Sequence, residues 1–519
     1  MKKKIGVLLG AAAIAIACCG CSSTTDGGVA MNDTFFNPIR VDSMMGDPYI
    51  TQHDGYYYYM HSQGTGVTVT KSKWMTQIAT KSDAEVTKRI FNQSDLGVSM
   101  IWAPEMFFID GYWYCYFTAT RGTTENEIHA NRRIYVMKSE TDDAMGKWGV
   151  AKKMELPCDS WAIDATYMTF NGKNYLLWSG WPKALTSNFN FEQRIYITRL
   201  NDNDPTLAYS TDPSARIQIS LPKYKEWEST GSWQNEGPAV VYAPNGRPFV
   251  FYSSSSSMSD FYCMAYCTLL GENADEWEQN ILNPNTDADG SSLGWRKEST
   301  PFFESDIGWN ELIGPGHNSF TKSPDGKEDW ICYHVAKYSG AGWDRIARLQ
   351  KLSWDENNFP KLDHIPHFSE AIPLPSGEKV NRVRYEAEQA ELTAGAEVLN
   401  SYDYQADGVT RLDFASEGKA VRLAGAEDSV TFSFDVPENG EYLISIRFAN
   451  TNVSDESIKL IVNGDEYSVY APRTGSDSCY IMSSLYTEFF VKPDFHNTVV
   501  VKAGPSFLID CLVVDYLDR

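Results

Sequence analysis

Five titratable residues recur at the same point of a repeated pattern: Asp47, Glu105, Asp164, Glu236 and His317, separated by 58, 59, 72 and 81 positions. The stretches around them read GDPYITQHDGYYYYMHS, WAPEMFFIDGYWYCYFTA, IDATYMTFNGKNYLLWSG, NEGPAVVYAPNGRPFVFYSSS and GPGHNSFTKSPDGKEDWICYH. Four carboxylates and a histidine brought together can divide acid and base work, because the charge of one acid disfavours ionisation of its neighbour. The question is what would bring them together.

Each stretch has a polar residue beside Pro, Gly or Ala, a short apolar strand, a turn and an aromatic strand. Asp-Gly and Asn-Gly between alternating apolar runs are strong hairpin signals. Small β-units repeated along a chain bury each other's faces, which suggests a propeller, and each interval fits one four-stranded blade with its loops. If the equivalent strand of every blade lines the channel, the five residues converge on its axis. The expected fold is all-β: a five-bladed propeller followed by a β-sandwich.

The chain begins MKKKIGVLLGAAAIAIACCGCSS, a basic start and an apolar run too short to cross a bilayer, so it reads as a secretory signal. Its Ala-Cys-Cys-Gly-Cys cluster resembles a bacterial lipoprotein cleavage box, with Cys21 or Cys18 as the lipidated residue. Seven cysteines follow; none forms a CxxC pair, and they are expected as buried thiols. A net charge of -23 repels phosphate backbones and excludes nucleic acid as a partner, while 13% aromatic residues suit strands and flat sugar faces. All 15 tryptophans lie at or before Trp354, and short alternating strands follow. The expected division is a signal at 1–21, a tether at 22–35, a propeller at 36–370, a linker at 371–383 and a sandwich at 384–519.

The motifs GDPYI, WAPE, IDAT, NEGPAV and GPGHNS, in that order over residues 37–365, resemble glycoside hydrolase family 43. The resemblance implies a five-bladed propeller of inverting glycosidases that needs no cofactor. It makes Asp47 the general base, Asp164 the residue that tunes the acid, and Glu236 the general acid. Glycosidic cleavage by inversion uses such a pair, one carboxylic acid protonated and one carboxylate ionised. The WAPE and NEGPAV forms, with ARLQKLSW near Arg348, look most like the arabinofuranosidase side of the family. The reading is an exo-acting lipoprotein of the periplasm or cell surface that removes α-L-arabinofuranosyl units from plant polysaccharide. β-Xylosidase and exo-β-galactosidase are alternatives, as is a non-catalytic glycan-binding lipoprotein. Trp102, Glu105, Trp233, His317 and Arg348 are the expected substrate contacts; Trp178 and Trp181 read more as strand ends. Related enzymes often have a central histidine beside calcium, but calcium prefers oxygen ligands, so His317 alone is weak evidence of metal. The long segments 121–160, 183–232 and 268–311 would wall the channel into a pocket, which favours attack at chain ends.

From residue 384 onward, YEAEQAEL, VPENGEYLISIRFAN and FLIDCLVVDY resemble carbohydrate-binding modules of families 6 and 35. That implies a structural calcium on Glu386, Glu388 and Asp510. The missing tryptophan leaves Tyr402, Tyr404 or Tyr480 for sugar stacking, or a module that only buttresses the propeller.

Overall fold

The computed structural model describes residues 27–39, 45–81, 83–182, 192–306, 312–367, 370–400, 415–475, 477 and 479–517. Cys18, Cys21, Tyr402 and Tyr404 lie outside them. Five four-stranded antiparallel sheets follow one another along the chain, and each is built from consecutive strands. Their inner strands are Tyr49–His53, Ser99–Ile109, Ala162–Phe170, Asn235–Tyr242 and Gly316–Lys322, opening blades I to V.

The core is not one mass but five layers, one between each pair of neighbouring blades. Val69 and Phe91 meet Phe117 and Met137 between blades I and II. Tyr116 and Val136 meet Leu176 and Trp178; Leu177 and Ile197 meet Val250 and Tyr252; Phe249 and Phe251 meet Leu352. Ile50 and Tyr59 meet Trp330 and Leu349, which closes the circle. A strand packed on both faces reads as a continuous apolar run, which is why Pro248–Ser254 is buried at all seven positions.

Among the described residues no strand is exchanged to close the ring, since blades I and V are each contiguous in sequence. Asn37 supplies a clasp instead. Its side-chain amide donates to the Leu349 carbonyl at 2.8 Å and accepts from the Leu349 N–H at 2.9 Å, so a segment ahead of blade I pairs with a strand of blade V. Ser319 adds a second stitch, donating to the Pro48 carbonyl at 2.9 Å and accepting from the Ile50 N–H at 3.1 Å.

The inner strands share a second feature. Asp47, Ala103, Asp164, Gly237 and His317 all have left-handed φ, between 42° and 59°. In blades II to V they sit at breaks in register, where the strand bulges and turns a side chain toward the axis. The equivalent positions are therefore Ala103 rather than Glu105, and Gly237 rather than Glu236.

Six C-terminal strands and one from the N-terminal segment form a seven-stranded sheet that faces a five-stranded one around a core that includes Val421, Phe432, Ile446 and Val501. The segment expected as a tether contributes strands. Val29–Ala30 pairs with Arg384 and Val383 at the edge of the sandwich, and Thr34–Phe36 pairs with Ala371–Pro373 from the expected linker. The two lobes also meet through polar contacts, Gln77 donating to Asp515 at 2.7 Å and Tyr486 to the Ala79 carbonyl at 3.0 Å. All seven cysteines in the described residues are free.

Of the acids implied as calcium ligands, Glu386 and Asp510 are paired with arginines. Arg384 lies 2.6 Å from Glu386, Arg447 pairs with Asp510, and Ser416 links both acids through its hydroxyl and N–H. Lys419 is 3.8 Å from Glu388. Guanidinium groups thus face Glu386 and Asp510, whereas among the described residues Glu386 Oε2 and both buried carboxylate oxygens of Glu388 accept no hydrogen bond, and no metal-holding group of three such side chains occurs. Tyr480 is fully buried, so it offers no stacking face.

The clasp is testable. Asn37→Ala leaves two buried backbone groups of Leu349 unpaired, at about 1–3 kcal/mol for each. Chemical denaturation should show a lowered midpoint of that order, and an unchanged midpoint would mean that the ring closes without it.

Candidate active site

The left-handed residues converge on one mouth of the channel because each is anchored to the blade before it. The Ala103 N–H donates to Ser62 Oγ at 2.7 Å, Asp164 to Thr118 Oγ1 at 3.1 Å and His317 to Ser253 Oγ at 2.7 Å. The Asp47 N–H donates to His334 Nδ1 at 3.1 Å, and Gly237 to Asp164 Oδ2 at 3.0 Å. A bulge cannot rotate while its amide is held from the side, so the side chains keep their aim.

Asp47, Asp164, Glu236 and His317 line a cavity of about 260 Å³ with Trp102, Trp343 and Arg345. Two glycines make that approach possible. A Cβ at Gly237 would lie 2.9 Å from the His317 ring, and one at Gly316 would lie 2.0 Å from the Tyr262 ring.

The carboxyl groups have been made unequal. Glu236 is buried, and its Oε1 accepts from Gln234 Nε2 and from Tyr262 Oη, both at 2.9 Å. Two donors on Oε1 make it the carbonyl oxygen of the neutral acid and leave the proton to Oε2. Burial and then the charge of Asp164 push the Glu236 pKa up to about 8. Asp164 is raised only to about 6, chiefly by burial, because His317, the Gly237 N–H and Arg132 favour its charge. Near neutral pH the pair therefore holds one proton, on Glu236.

Asp47 is different. Burial opposes its charge, but the His317 cation overcomes that together with Arg345 and holds the carboxyl well below the usual range. Its side chain keeps 19% exposure, so the burial penalty is partial. Ser62 donates to Oδ2 at 2.5 Å, His317 Nδ1 lies 3.0 Å from Oδ1, and Arg345 Nη1 lies 3.9 Å away. Burial works against a proton on His317, yet Asp47 and Asp164 raise it to about 10, so it is a cation at the centre of the acids. His334 accepts the Asp47 N–H through Nδ1 and must be neutral there; burial and Arg345 hold it well below its usual range.

The expected sugar contacts divide. Trp102 lines the cavity with the Arg132 guanidinium 3.6 Å from its ring centre and Trp343 edge-on at 6.3 Å. Glu105 is buried beside the acids, and its pKa is pushed up to about 8, mainly by burial. Trp233 is 44% exposed but does not line the cavity. Arg348 is fully buried, donating to the Pro366 carbonyl. Arg345 takes the place expected of it: an odd separation along a strand puts the two on opposite faces. Trp178 packs in the layer between blades II and III, and Trp181 stacks on Trp161 at 4.7 Å. Arg345, Tyr262, His334, Ser62 and Trp343 were not anticipated. A signal was present, since each aromatic strand ends on polar residues, as in YMHS, YFTA, FYSSS and WICYH, and these supply the anchors.

Against known proteins, the family model "Glycosyl hydrolases family 43" matches residues 14–360. An extracellular exo-α-(1→5)-L-arabinofuranosidase of Streptomyces avermitilis is 29% identical over 428 residues, covering 80% of this chain and 76% of its own. The α-L-arabinofuranosidase 43 of Humicola insolens is 29% identical over 389 residues, covering 73% of this chain and 71% of its own. Among solved structures, the α-L-arabinofuranosidase from Lactobacillus brevis superposes with a TM-score of 0.53 at 29% identity, over 64% of this chain and 98% of that one. A thermostable family-43 glycoside hydrolase gives 0.52 at 21% identity, over 66% and 100%, and shares the fold. With two thirds of its length matched by the family model, this chain belongs to glycoside hydrolase family 43.

Proposed function

We propose that the protein is an exo-acting, inverting α-L-arabinofuranosidase with Glu236 as general acid, Asp47 as general base and Asp164 as the group that keeps Glu236 protonated. The observation that carries this is the inequality of the carboxyls around one cavity: Asp47 ionised against His317, Glu236 neutral beside Asp164. A surface that only captured glycan would have no use for that division. The names of relatives from Streptomyces avermitilis and Humicola insolens supply the sugar, and the first supplies exo action.

In this reading a water held by Asp47 attacks the anomeric carbon as the bond to the glycosidic oxygen breaks. The water's proton goes to Asp47, and the Glu236 proton goes to the departing oxygen. Attack from the opposite face inverts the anomeric configuration. His317 and Ser62 keep Asp47 turned toward the water, while Trp102 offers a flat face to the sugar. Glu105, buried beside the acids with its pKa raised by burial, has Thr166 as its side-chain hydrogen-bond partner and serves as a contact for substrate hydroxyls. Residues 384–519 form an attached sandwich module, with the division near residue 380.

We also propose export by residues 1–21, in line with the extracellular Streptomyces relative, and a lipid on Cys21 or Cys18. The mature protein should partition into detergent, and replacing both cysteines by Ser should release it. Recovery of unaltered protein in the aqueous phase would remove the anchor.

Leaving-group chemistry separates the roles. Glu236→Ala should cripple hydrolysis of an arabino-oligosaccharide while sparing more of the activity on nitrophenyl α-L-arabinofuranoside, whose phenolate departs without a proton. Asp47→Ala should damage both, by about 10²–10⁴. Equal losses for Glu236→Ala on the two substrates would undo the assignment. Proton NMR of the first product should show the inverted anomer, and the β-xyloside and β-galactoside analogues should turn over more slowly.

The pH profile carries a further expectation. Activity needs Glu236 protonated, so the alkaline limb should fall near pH 8. Asp164→Asn removes the neighbouring charge that raises Glu236, and the alkaline limb of the remaining activity should move to lower pH. A limb that stays in place would show that Asp164 does not set that pKa.

A further inference from the structure

Trp343 stands at the rim of the cavity, 49% exposed, on the connection 337–344 between two strands of blade V, Asp329–Ala336 and Arg345–Trp354. The connection is bonded within itself, the Ala341 N–H donating to the Tyr338 carbonyl at 3.0 Å and the Asp344 N–H to the Ala341 carbonyl at 3.1 Å. Its base is closed by Lys337, whose N–H donates to the Asp344 carbonyl at 3.0 Å and whose ammonium lies 2.8 Å from the Asp344 carboxylate. The Lys337 side chain is only 1% exposed, and its other partners come from the sandwich: Tyr470 Oη at 2.8 Å and the Asp455 carboxylate at 3.7 Å. Tyr470 in turn donates to Asp455, which also accepts the Arg473 N–H at 2.9 Å. The Arg473 guanidinium lies over the ring of Tyr338 at 3.5 Å. Gly475, with φ 73°, lets the chain pass so close that a Cβ there would lie 2.8 Å from Tyr338 Cβ.

The far side of the connection is held by blade IV. Asp260 accepts from the Ser339 hydroxyl and, at 2.9 Å, from the Gly340 N–H; Trp343 Nε1 donates to Ser257 Oγ at 3.3 Å, and Arg345 donates to the Ser257 carbonyl. The wall that carries Trp343 and ends at Arg345 is therefore clamped between a propeller loop and the sandwich.

We infer that the sandwich completes the active site: Asp455, Tyr470 and Arg473 are positioning residues that fix connection 337–344, and so place Trp343 as the platform for the part of the glycan beyond the terminal sugar. A buried ammonium between two carboxylates and a phenol has one low-energy arrangement, and a guanidinium stacked on Tyr338 fixes the next residue, so the constraint passes directly to the rim. Of the residues lining the cavity Trp343 is half exposed and Glu236 buried, so Trp343 is at the solvent side, through which the portion of the chain beyond the scissile bond must project. The assignment of the cavity to sugar rests on the function proposed above; the bracing does not.

Two readouts keep these apart, both on the full chain. In hydrogen exchange, Asp455→Asn and Arg473→Ala should each speed exchange of the peptide spanning 337–344 and leave that of Asn235–Tyr242 unchanged. In kinetics, KM for an arabino-oligosaccharide should rise by about two- to thirtyfold, the range of coupling through such networks, with kcat and the pH profile nearly unmoved. Arg473→Lys, which keeps a cation over Tyr338, should recover most of both effects. Unchanged exchange at 337–344, or faster exchange throughout blade V, overturns the bracing. Faster exchange confined to 337–344 with no change in KM sinks the platform role of Trp343, whereas a wild-type protein that cleaves neither the oligosaccharide nor the nitrophenyl glycoside sinks the proposed function and leaves the exchange result to decide the bracing.

Discussion

Everything in the site depends on holding a handful of residues in left-handed backbone at the inner end of each blade. Such a conformation costs about 1–3 kcal/mol at each non-glycine residue and persists only where the surroundings over-determine it. Here the surroundings are the neighbouring blades. In four of the five cases the strained amide is anchored by a side chain from the second strand of the blade before it or, for Ser62, from just past its end. In the fifth, Gly237, the anchor is the carboxylate of Asp164. Strain at one blade is thus carried by packing at another, and the five interblade layers that stabilise the propeller also aim its acids.

That exception has a chemical consequence. The bond from Gly237 to Asp164 binds the conformation of the blade carrying Glu236 to the charged state of Asp164. The same N–H lowers the Asp164 pKa relative to Glu236, so one hydrogen bond serves both geometry and proton distribution. Across the cavity, His317 has the complementary task. It is the cation that keeps Asp47 ionised despite burial, and Gly237 is the residue that leaves room for its ring.

The second lobe resembles a sugar-binding module in its strand motifs, yet its chemistry has shifted. Arginines pair with two of the three acids where the resemblance implied a cation, and the tyrosine in the described residues that was a candidate for stacking is buried. Its edge accepts a strand from the N-terminal segment, and its far end reaches the connection at the cavity rim. These contacts make it a brace for the propeller, a role that does not require the exposed aromatic face of a free-standing binding module.

The repeat of turn, apolar strand and aromatic strand was legible in the amino-acid order, because hairpin chemistry and the pattern of buried faces are local. So were the blade count, Asp47 and Asp164, which stand at the fixed point of that repeat, and Glu236, one residue ahead of it. Which acid keeps its proton was only partly legible: a neighbouring charge could be expected, but the Tyr262 and Gln234 bonds on Oε1 and the His317 contact depend on residues far apart in the chain. The register of the bulges was not legible at all, so Glu105 stood in for Ala103, and Arg348 for Arg345. A bulge adds one residue to one strand and changes which side chains face the axis, and nothing in composition or spacing reports it. The placement of Trp343 likewise belongs to tertiary structure, since the residues that hold it come from two blades and from a sandwich more than a hundred positions away, and only folding brings those charges into contact.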